Sequence, residues 1–325
     1  MENFTDVFTV ALANSGIRLA TPIILAALGG IICHQAGVLN LALEGKMLLG
    51  AFLGIAAAYF LGNTYLGIVV AMLAGGLLGL IFAFLYLRYK VNLIILALAI
   101  NLLILELTVY FMRILFGNVG SWSDPSIRRL PDISLPLIGD IPVIGDILSG
   151  YNFIVYFSWI AVVVTYLILF NTRFGRHIRA VGENQAAAET VGINVTRVQV
   201  FALIVAGMLA ALGGAFLSVG HLTLFTRNMS NNRGWAAVVA AIFGFNHPIG
   251  VFLAGLFFGF ADAFAVRIQS VTDLPPNLIQ MLPHFATLAA LIIVGLREKV
   301  NIAVTRRRFR RQLQAGETPS AITGD

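Results

Sequence analysis

The chain reads YNFIVYFSWIAVVVTYLILF at residues 151–170, TRFGRHIRAVGENQAAAETVGINVTR at residues 172–197 and VQVFALIVAGMLAALGGAFLSVG at residues 198–220. The first and third stretches are predominantly apolar, and about 20 such residues in a helix cross the hydrocarbon core of a bilayer. The middle stretch is charged, so it must lie outside the bilayer. These residues therefore predict two membrane-spanning helices joined by a soluble loop.

The composition of the whole chain indicates the same class of protein. Hydrophobic residues make up 59% of the 325 residues, charged residues only 11%, and the mean hydropathy is +0.90. A chain with so few polar residues is a membrane protein, and its segments lack the polar and apolar alternation of barrel strands. We predict an all-α, polytopic transmembrane helical bundle of about 8 to 10 spans, some of them broken or re-entrant.

Nine apolar segments carry this prediction. They lie near residues 16–33, 45–61, 64–87, 91–116, 151–171, 198–220, 234–246, 249–269 and 277–296. The seventh is too short to span alone, and residues 33–44 and 234–246 are candidates for re-entrant or broken helices. We predict a single transmembrane domain over residues 1–300 and a basic, partly disordered tail over residues 301–325.

Basic residues predict the orientation, because loops retained in the cytoplasm collect Lys and Arg. Arg88 and Lys90 share one loop, residues 172–197 hold four arginines, and seven basic residues follow residue 296. Fewer lie on the opposite side, namely Arg128, Arg129, Arg227 and Arg233. We expect an external N-terminus, a cytoplasmic C-terminus, a cytoplasmic loop at 172–197 and an external loop at 117–150, whose prolines exclude a long helix.

Most of the net charge of +6 therefore belongs to the inner face of the membrane. Five arginines lie between residues 306 and 311, after the last apolar segment. Such a cluster beside a membrane span is typical of an anchor to anionic lipid. We predict membrane lipid as a partner and no nucleic acid.

The sequence carries no enzyme signature. The five histidines are scattered, Cys33 is the single cysteine, and no motif of a hydrolase or metalloprotease occurs. No phosphate-binding loop is present either, because Gly45 and Lys46 are followed by Met47 and lack the upstream glycine. We expect no catalytic residues, no metal ligands and no cofactor in this chain, so any ATP must bind to another subunit.

Polar residues inside apolar segments suggest where a solute passes, since an ionisable group in the bilayer is unfavourable unless it is paired or faces water. Asn101, Glu106 and Arg113 lie on the fourth segment, with Glu106 and Arg113 on nearly the same face. They form either a polar lock between helices or the lining of a solute path. Glu106 or Asp262 would be the ion site if the protein were an ion-coupled secondary transporter.

Two interrupted segments carry further polar groups, AGVLNLALEGKMLLG at residues 36–50 and NNRGWAAVVAAIFGFNHP at residues 231–248. Glu44 is expected to stabilise the N-terminus of a helix that begins near Gly45. Transporters place solute paths beside broken helices, where irregular backbone is tolerated. The candidate residues of the translocation path are Asn40, Glu44, Asn101, Glu106, Asn231 and Trp235.

Three stretches carry a resemblance to a known family. Residues 21–52 contain GVLNLALEG, and with residues 173–195 and 234–263 they resemble, in order, the permeases of binding-protein-dependent ABC importers of branched-chain amino acids, simple sugars and purine nucleosides. The GVxNxxLEG core is typical of the nucleoside and simple-sugar branch. The chain departs from the pattern at His34 and Gln35, where members often carry a charged pair, and at Lys46, where they carry an apolar residue.

The resemblance implies a function and a set of partners. The chain would be the membrane-spanning subunit of an importer in the plasma (inner) membrane for a small polar solute, such as a purine nucleoside, ribose or a simple sugar. Its partners would be an ABC ATPase subunit that binds ATP and magnesium, a second homologous or identical permease subunit, and an extracytoplasmic solute-binding protein. An ion-coupled secondary transporter is the alternative.

The same resemblance identifies residues 172–197 as the loop that couples the permease to its ATPase. The sequence predicts Asn184 as the N-cap of a helix and Gly192 as the residue that ends it, and the alanines between them favour a helix. We expect a short helix that sits in a groove of the ATPase, with glycines that let the loop turn. The candidate coupling residues are Arg173, Gly175, Arg179, Gly182, Glu183, Asn184, Ala187, Glu189 and Gly192.

Overall fold

The structure, a computed structural model, describes residues 10–118, 120–134 and 144–271. All of them belong to one compact unit, Met1–Asp273. The ninth predicted segment at 277–296, the domain boundary at residue 300 and the basic tail at 301–325 lie outside the described residues.

The predicted all-α class is confirmed. Seven helices in the described part are long and apolar enough to cross a membrane: α1 (Val10–Gln35), α2 (Leu43–Leu61), α3 (Thr64–Tyr89), α4 (Leu93–Phe116), α6 (Phe153–Tyr166, extended by a π-helical turn, Leu167–Asn171), α9 (Val195–Ala215, extended by a π-helical turn, Phe216–Leu222) and α11 (Pro248–Val271). Each coincides with a predicted segment.

Shorter elements connect the long helices. They are β1 (Ser121–Trp122), β2 (Asp132–Ile133), α5 (Ile144–Leu148), β3 (Tyr151–Asn152), α7 (Arg173–Glu183), α8 (Gln185–Thr190), β4 (Phe225–Thr226) and α10 (Arg233–Phe243). Helix α10 coincides with the predicted seventh segment. At 11 residues and about 1.5 Å per residue it covers roughly half of a bilayer core, so it confirms the prediction of a segment too short to span alone.

Helix α1 is the centre of the bundle, with α2, α6, α9, α10 and α11 packed around it. Near its start, the Tyr151 hydroxyl donates to Asn14 Oδ1 at 2.6 Å. Near its end, Gln35 Nε2 donates to the Asn246 carbonyl at 3.0 Å. Because α1 is a 26-residue helix, Tyr151 and Asn246 mark opposite ends of the bundle.

Small residues allow the long helices to pack closely, as is common in membranes. The backbones of α3 and α9 approach so closely that a methyl group on Gly75 would overlap Gly207 and Ala211. Gly259 of α11 lies in the same way against Ala20 of α1, and Gly255 against Ile24. Gly75, Gly255 and Gly259 thus serve helix packing within this subunit.

Two short antiparallel pairings organise the loop at 117–150. Ser121 pairs with Thr226, and Asp132 pairs with Asn152. Strand β4 therefore lies at the same end of the bundle as this loop. The chain continues as an irregular stretch, residues 227–232, and then as α10, which ends at Phe243, three residues before Asn246.

Candidate functional site at the broken helices

The carboxylate of Glu44 binds the start of the half-length helix α10. Its Oε1 accepts hydrogen bonds from the Ser230 hydroxyl at 2.5 Å and the Asn232 amide at 3.0 Å, and its Oε2 accepts one from the Gly234 amide at 2.7 Å. Glu44 is buried. A buried carboxylate requires such donors, and the positive end of the α10 dipole adds to their attraction.

The sequence predicted Glu44 at the start of a helix near Gly45, which is where it lies, but did not predict its bonds to α10. Helix α2 begins at Leu43 and contains Glu44 in its first turn, but the carboxylate bonds to α10. The backbone amide of Gly45, in the first turn of α2, donates to Asn101 Oδ1 at 2.8 Å. The start of α10 binds the Glu44 carboxylate because it offers one hydroxyl and two backbone amides as hydrogen-bond donors.

Asn101 of α4 is a polar lock between helices, one of the two roles that the sequence left open. Besides accepting from Gly45, it donates through Nδ2 to the Leu41 carbonyl at 3.0 Å. One amide side chain therefore holds both the carbonyl before α2 and the first turn of α2. It positions the segment that carries Glu44.

Gly234 leaves room for the approach of Glu44 to α10. A Cβ atom at residue 234 would overlap the backbone N and Cα of Glu44, as well as its carboxylate. Ahead of Gly234 the chain adopts left-handed conformations at Asn228, Asn231 and Asn232, with φ of 56°, 43° and 64°. Asparagine tolerates this region better than most residues, which explains the asparagines before α10.

Asn40, a second predicted path residue, organises the break between α1 and α2. Its Oδ1 accepts from Lys46 Nζ at 3.1 Å and from the Ala42 amide at 3.2 Å, and its Nδ2 contacts Cys33 Sγ at 3.7 Å. Lys46 is completely buried. Its ammonium also lies 4.8 Å from the centre of the Phe82 ring, a cation–π contact.

Two ion pairs flank the site. Arg233 Nε lies 3.7 Å from Asp262 Oδ2, linking the start of α10 to α11. Arg227 Nη2 lies 3.4 Å from Glu106 Oε1, and both side chains of this pair are largely exposed. Glu106 thus pairs with the stretch leading to α10, and it forms no ion pair with Arg113 among the described residues.

The structure brings Glu44, Asn101 and the stretch around Asn231 together. Asn231 is exposed beside Asn232, and Trp235 is half-buried in the first turn of α10. Whether a solute touches these residues stays a prediction. Ser230 and Asn232, which donate hydrogen bonds to Glu44, were not predicted from the sequence. Ser and Asn before an apolar helix are nevertheless N-cap signals.

The predicted coupling loop forms two helices, α7 and α8. Asn184 caps α8 as expected, because its Oδ1 accepts from the Ala187 amide at 3.0 Å. Gly192 follows α8 with a φ of 83°, which confirms it as a stop. Ala187 and Glu189 are exposed on α8, while Ala188 is buried. This exposed face is free to meet a partner.

Two glycines of the loop have a different role from the one expected. Gly175 and Gly182 lie inside α7 and do not form turns. A Cβ atom on Gly175 would overlap the carbonyls of Ile168 and Leu169, and one on Gly182 would overlap the Gln35 carbonyl. They let α7 lie directly on the π-helical turn after α6 and on the end of α1.

The other coupling residues divide between the two faces of α7. Arg173 and Glu183 are exposed. Arg179 is half-buried, and its guanidinium lies 5.0 Å from the centre of the Phe170 ring. Arg179 therefore fastens α7 to the bundle, whereas Arg173 and Glu183 remain accessible.

Residues 35–37 connect the coupling loop to the site. Gly37 lies against Gly182 and Gln185, and the Ala36 carbonyl accepts from Gln199 Nε2 of α9 at 3.2 Å. Three residues further on, Asn40 Oδ1 accepts from the Ala42 amide at the entry to α2, the helix that carries Glu44. Helix α7 and the start of α8 therefore lie against the stretch of chain that leads into the break between α1 and α2.

No group of three or more His, Cys, Asp or Glu side chains suited to a metal ion occurs within residues 10–118, 120–134 and 144–271. The expectation of a chain without metal ligands or cofactor stays a prediction for the whole protein.

Comparison with known proteins defines the class. The family model described as "Branched-chain amino acid transport system / permease component" matches residues 12–294. A guanosine ABC transporter permease protein of Bacillus subtilis, NupQ, is 34% identical over 284 residues, 84% of this chain and 88% of the relative. A putative glucose ABC transporter permease protein of Haloferax volcanii is 31% identical, covering 91% and 95%. A nucleoside ABC transporter permease protein of Lactococcus lactis, NupC, is 29% identical, covering 90% and 94%.

No solved structure matches the chain significantly. The family match covers most of the sequence, so the chain belongs to the permease family of the branched-chain amino acid transport system.

It is an ABC transporter permease subunit, integral to the plasma membrane, and a transport subunit without an ATPase site of its own. Membership also implies an ATPase and a substrate-binding partner. The predicted family, class of function and localisation are confirmed.

Proposed function

We propose that this subunit imports a small, neutral, polar solute, a purine nucleoside or a related ribose or simple sugar. One observation carries the choice of a neutral solute. In transporters with broken helices, the N-terminus of a half-helix attracts an anionic group of the substrate. Here the Glu44 carboxylate already occupies the amides at the start of α10, which disfavours the carboxylate of an amino acid.

The names of similar proteins support the same cargo. Two of the relatives are named for guanosine or nucleosides, and one for glucose. These solutes carry hydroxyl groups and, in nucleosides, a base, but no carboxylate. The exposed amides of Asn231 and Asn232 and the half-buried indole of Trp235 suit hydrogen bonding and stacking to such groups.

The coupling partner is an ABC ATPase that binds ATP and magnesium, while this chain binds neither. Its contact is the exposed face of α8, between Asn184 and Val191, on the cytoplasmic side. Helix α8 is capped and short, and Val191 is 74% exposed. An exposed apolar residue at the end of a short helix that also exposes Ala186 and Ala187 fits a groove on another protein. Nucleotide-driven closure then moves α7 and α8, and residues 35–37 pass the movement to Asn40 and Glu44.

On the opposite face, an extracytoplasmic solute-binding protein docks against the loop at 117–150. A cleft of about 500 Å³ there is lined by Asn63, Thr64, Arg128 and Arg129. Both arginines are exposed, so acidic residues of the binding protein are their natural complement. A second permease subunit, homologous or identical, completes the transporter, with the polar groups near Glu106 facing the shared path.

Uptake by proteoliposomes tests the proposal. The permease, its ATPase and its binding protein are reconstituted, and uptake of guanosine, glucose and leucine is measured with and without ATP. We expect ATP-dependent uptake of guanosine or glucose and none of leucine. Leucine as the preferred solute would contradict the argument from Glu44.

The alternative of an ion-coupled secondary transporter predicts uptake driven by an ion gradient without the ATPase. Family membership disfavours it. Both carboxylates suggested as its ion site have an arginine partner, Arg227 for Glu106 and Arg233 for Asp262.

A further inference from the structure

An apolar groove opens beneath the first turn of α7, away from the broken helices. It has a volume of about 450 Å³ and lies between α6 and α9, with Ile32 of α1 at its floor. Of the described side chains that line it, only those of Thr165 and Thr172 are polar. The Thr172 hydroxyl is already bonded, donating to the Ile168 carbonyl and accepting from the Gly175 amide. The groove therefore suits a hydrocarbon chain rather than a polar solute.

The groove opens toward the bilayer. Ile160 and Val164 of α6 and Phe201 of α9 line it and are 58%, 43% and 47% exposed. All three lie on helices long and apolar enough to span the membrane. The molecules that surround such a surface are phospholipids, and their acyl chains match its lining.

Two arginines of α7 lie close in sequence to residues that line the groove. Arg173 lies in sequence between Thr172 and Phe174, both of which line the groove. Arg173 and Arg176 are exposed, and the first turn of α7 contains no acidic residue. Neither arginine forms a salt bridge within the described part of the chain. The N-terminus of the 11-residue helix α7 adds its positive dipole at the same place.

We propose that this groove binds one acyl chain of an anionic phospholipid, whose phosphate lies against Arg173 and Arg176. The lipid comes from the leaflet on the side of residues 172–197. The apolar lining selects the acyl chain, and the two arginines select a headgroup with net negative charge. The bound lipid thus fills the space between the membrane and the helix that leads into α8.

Photo-crosslinking tests this site. The intact transporter is placed in phosphatidylcholine nanodiscs that contain a trace of phosphatidylglycerol or of phosphatidylcholine with a diazirine near the end of one acyl chain. We expect phosphatidylglycerol to label peptides of α6 and α9 at the groove. Removing two positive charges with R173Q and R176Q together should lower this labelling about thirtyfold, since each basic residue near the membrane contributes about 1 kcal/mol to the attraction of anionic lipid.

The matched control is R88Q with K90Q, which removes the same charge from exposed positions distant in sequence from every residue that lines the groove; labelling should be unchanged. Val164→Trp should fill the groove and abolish labelling at the groove by both lipids. Val164 is 43% exposed, and a thermal melt verifies that the variant folds. The arginine pair gives a second test that leaves the apolar packing intact.

Several results would overturn the proposal. Equal labelling by phosphatidylglycerol and phosphatidylcholine would show that the arginines do not select an anionic headgroup. Absence of label from α6 and α9 would mean that the groove holds no acyl chain. Displacement of the labelled lipid by inorganic phosphate would reduce the site to an anion site without an acyl chain.

Discussion

Glu44 Oε2 in the first turn of α2 accepts a hydrogen bond of 2.7 Å from the Gly234 amide in the first turn of α10. These residues are 190 positions apart in the chain, and each belongs to one of its two interrupted segments. The bond joins the two breaks into one site. It also makes the position of α10 depend on the break between α1 and α2, which lies against the coupling loop.

Replacing Glu44 with Gln should weaken this junction. Glutamine keeps the shape but loses the charge and one acceptor oxygen, and hydrogen bonds to charged groups contribute about 1.5–3 kcal/mol each. We expect the free energy of unfolding to fall by about 2–3 kcal/mol and ATP-dependent uptake to fall, with the ATPase still bound. Thermal melting, uptake and co-purification measure the three effects.

Glu106→Gln is the matched control, because its ion pair with Arg227 is exposed and such pairs contribute at most about 1 kcal/mol. If both variants lose the same stability, the special role of Glu44 is wrong.

A methyl group at residue 234 should separate α10 from α2. Gly234→Ala places Cβ on the backbone of Glu44, where neither atom can move as a flexible side chain would. Overpacking of this kind destabilises by about 1–3 kcal/mol. The control is Gly120→Ala, whose added Cβ would meet nothing within 4 Å. Thermal melting should show a loss for Gly234→Ala alone, and equal melting temperatures would refute the close contact.

Asn40 and Lys46 should behave as a coupled pair. Asn40→Leu leaves the buried ammonium of Lys46 without its oxygen acceptor, and an unpaired buried charge destabilises by about 3–5 kcal/mol. Lys46→Met removes the charge and keeps most of the volume, so it should change stability by less than about 1.5 kcal/mol.

The double variant should therefore be more stable than Asn40→Leu alone. A double-mutant cycle on thermal or denaturant unfolding measures this coupling. Strictly additive effects would show that the contact between the two side chains carries no energy.

The exposed face of α8 should control ATPase binding. Ala187→Trp combined with Glu189→Lys makes this face bulky and reverses one charge, without touching the buried Ala188. We expect co-purification of the ATPase to fall at least about tenfold, the loss expected when a central contact of an interface is removed. Ser123→Trp, exposed in the loop at the other end of the bundle, should leave ATPase binding intact. Retained binding by the double variant would exclude α8 as the contact.

The Tyr151 hydroxyl should lose its proton at a higher pH than an ordinary tyrosine. Burial raises the pKa of its hydroxyl from 10.0 to about 12, partly offset by the charge of Arg18. The neutral hydroxyl has one proton, which it donates either to Asn14 Oδ1 or to the Ile147 carbonyl, both 2.6 Å away. Because the folded pKa is the higher one, its stabilising contribution is complete below about pH 10 and is lost as the pH rises toward 12.

Ultraviolet titration of tyrosinate absorbance checks this, with Tyr151→Phe as the variant that should lose the late component. A titration unchanged by that substitution would contradict the assignment.

The sequence by itself determined the class of this protein, because local composition decides whether a segment can lie in a bilayer. Apolar runs at α1, α2, α3, α4, α6, α9 and α11 predicted the spans, and Asn184 and Gly192 predicted the limits of α8. In each case the deciding interaction is local, whether apolar burial in lipid, a side-chain cap or a left-handed glycine.

Only the tertiary structure decided which polar groups meet. Glu44 lies in the first turn of its own helix as expected, but its carboxylate bonds to α10. Gly175 and Gly182 were expected at turns and instead lie at helix contacts. A charged residue such as Lys46 is typically exposed, and only the apolar residue that the resembling family carries at this position pointed to its complete burial. These outcomes depend on groups distant in the chain that converge around α1, and a hydrogen bond between residues 190 positions apart leaves no periodic pattern in either segment.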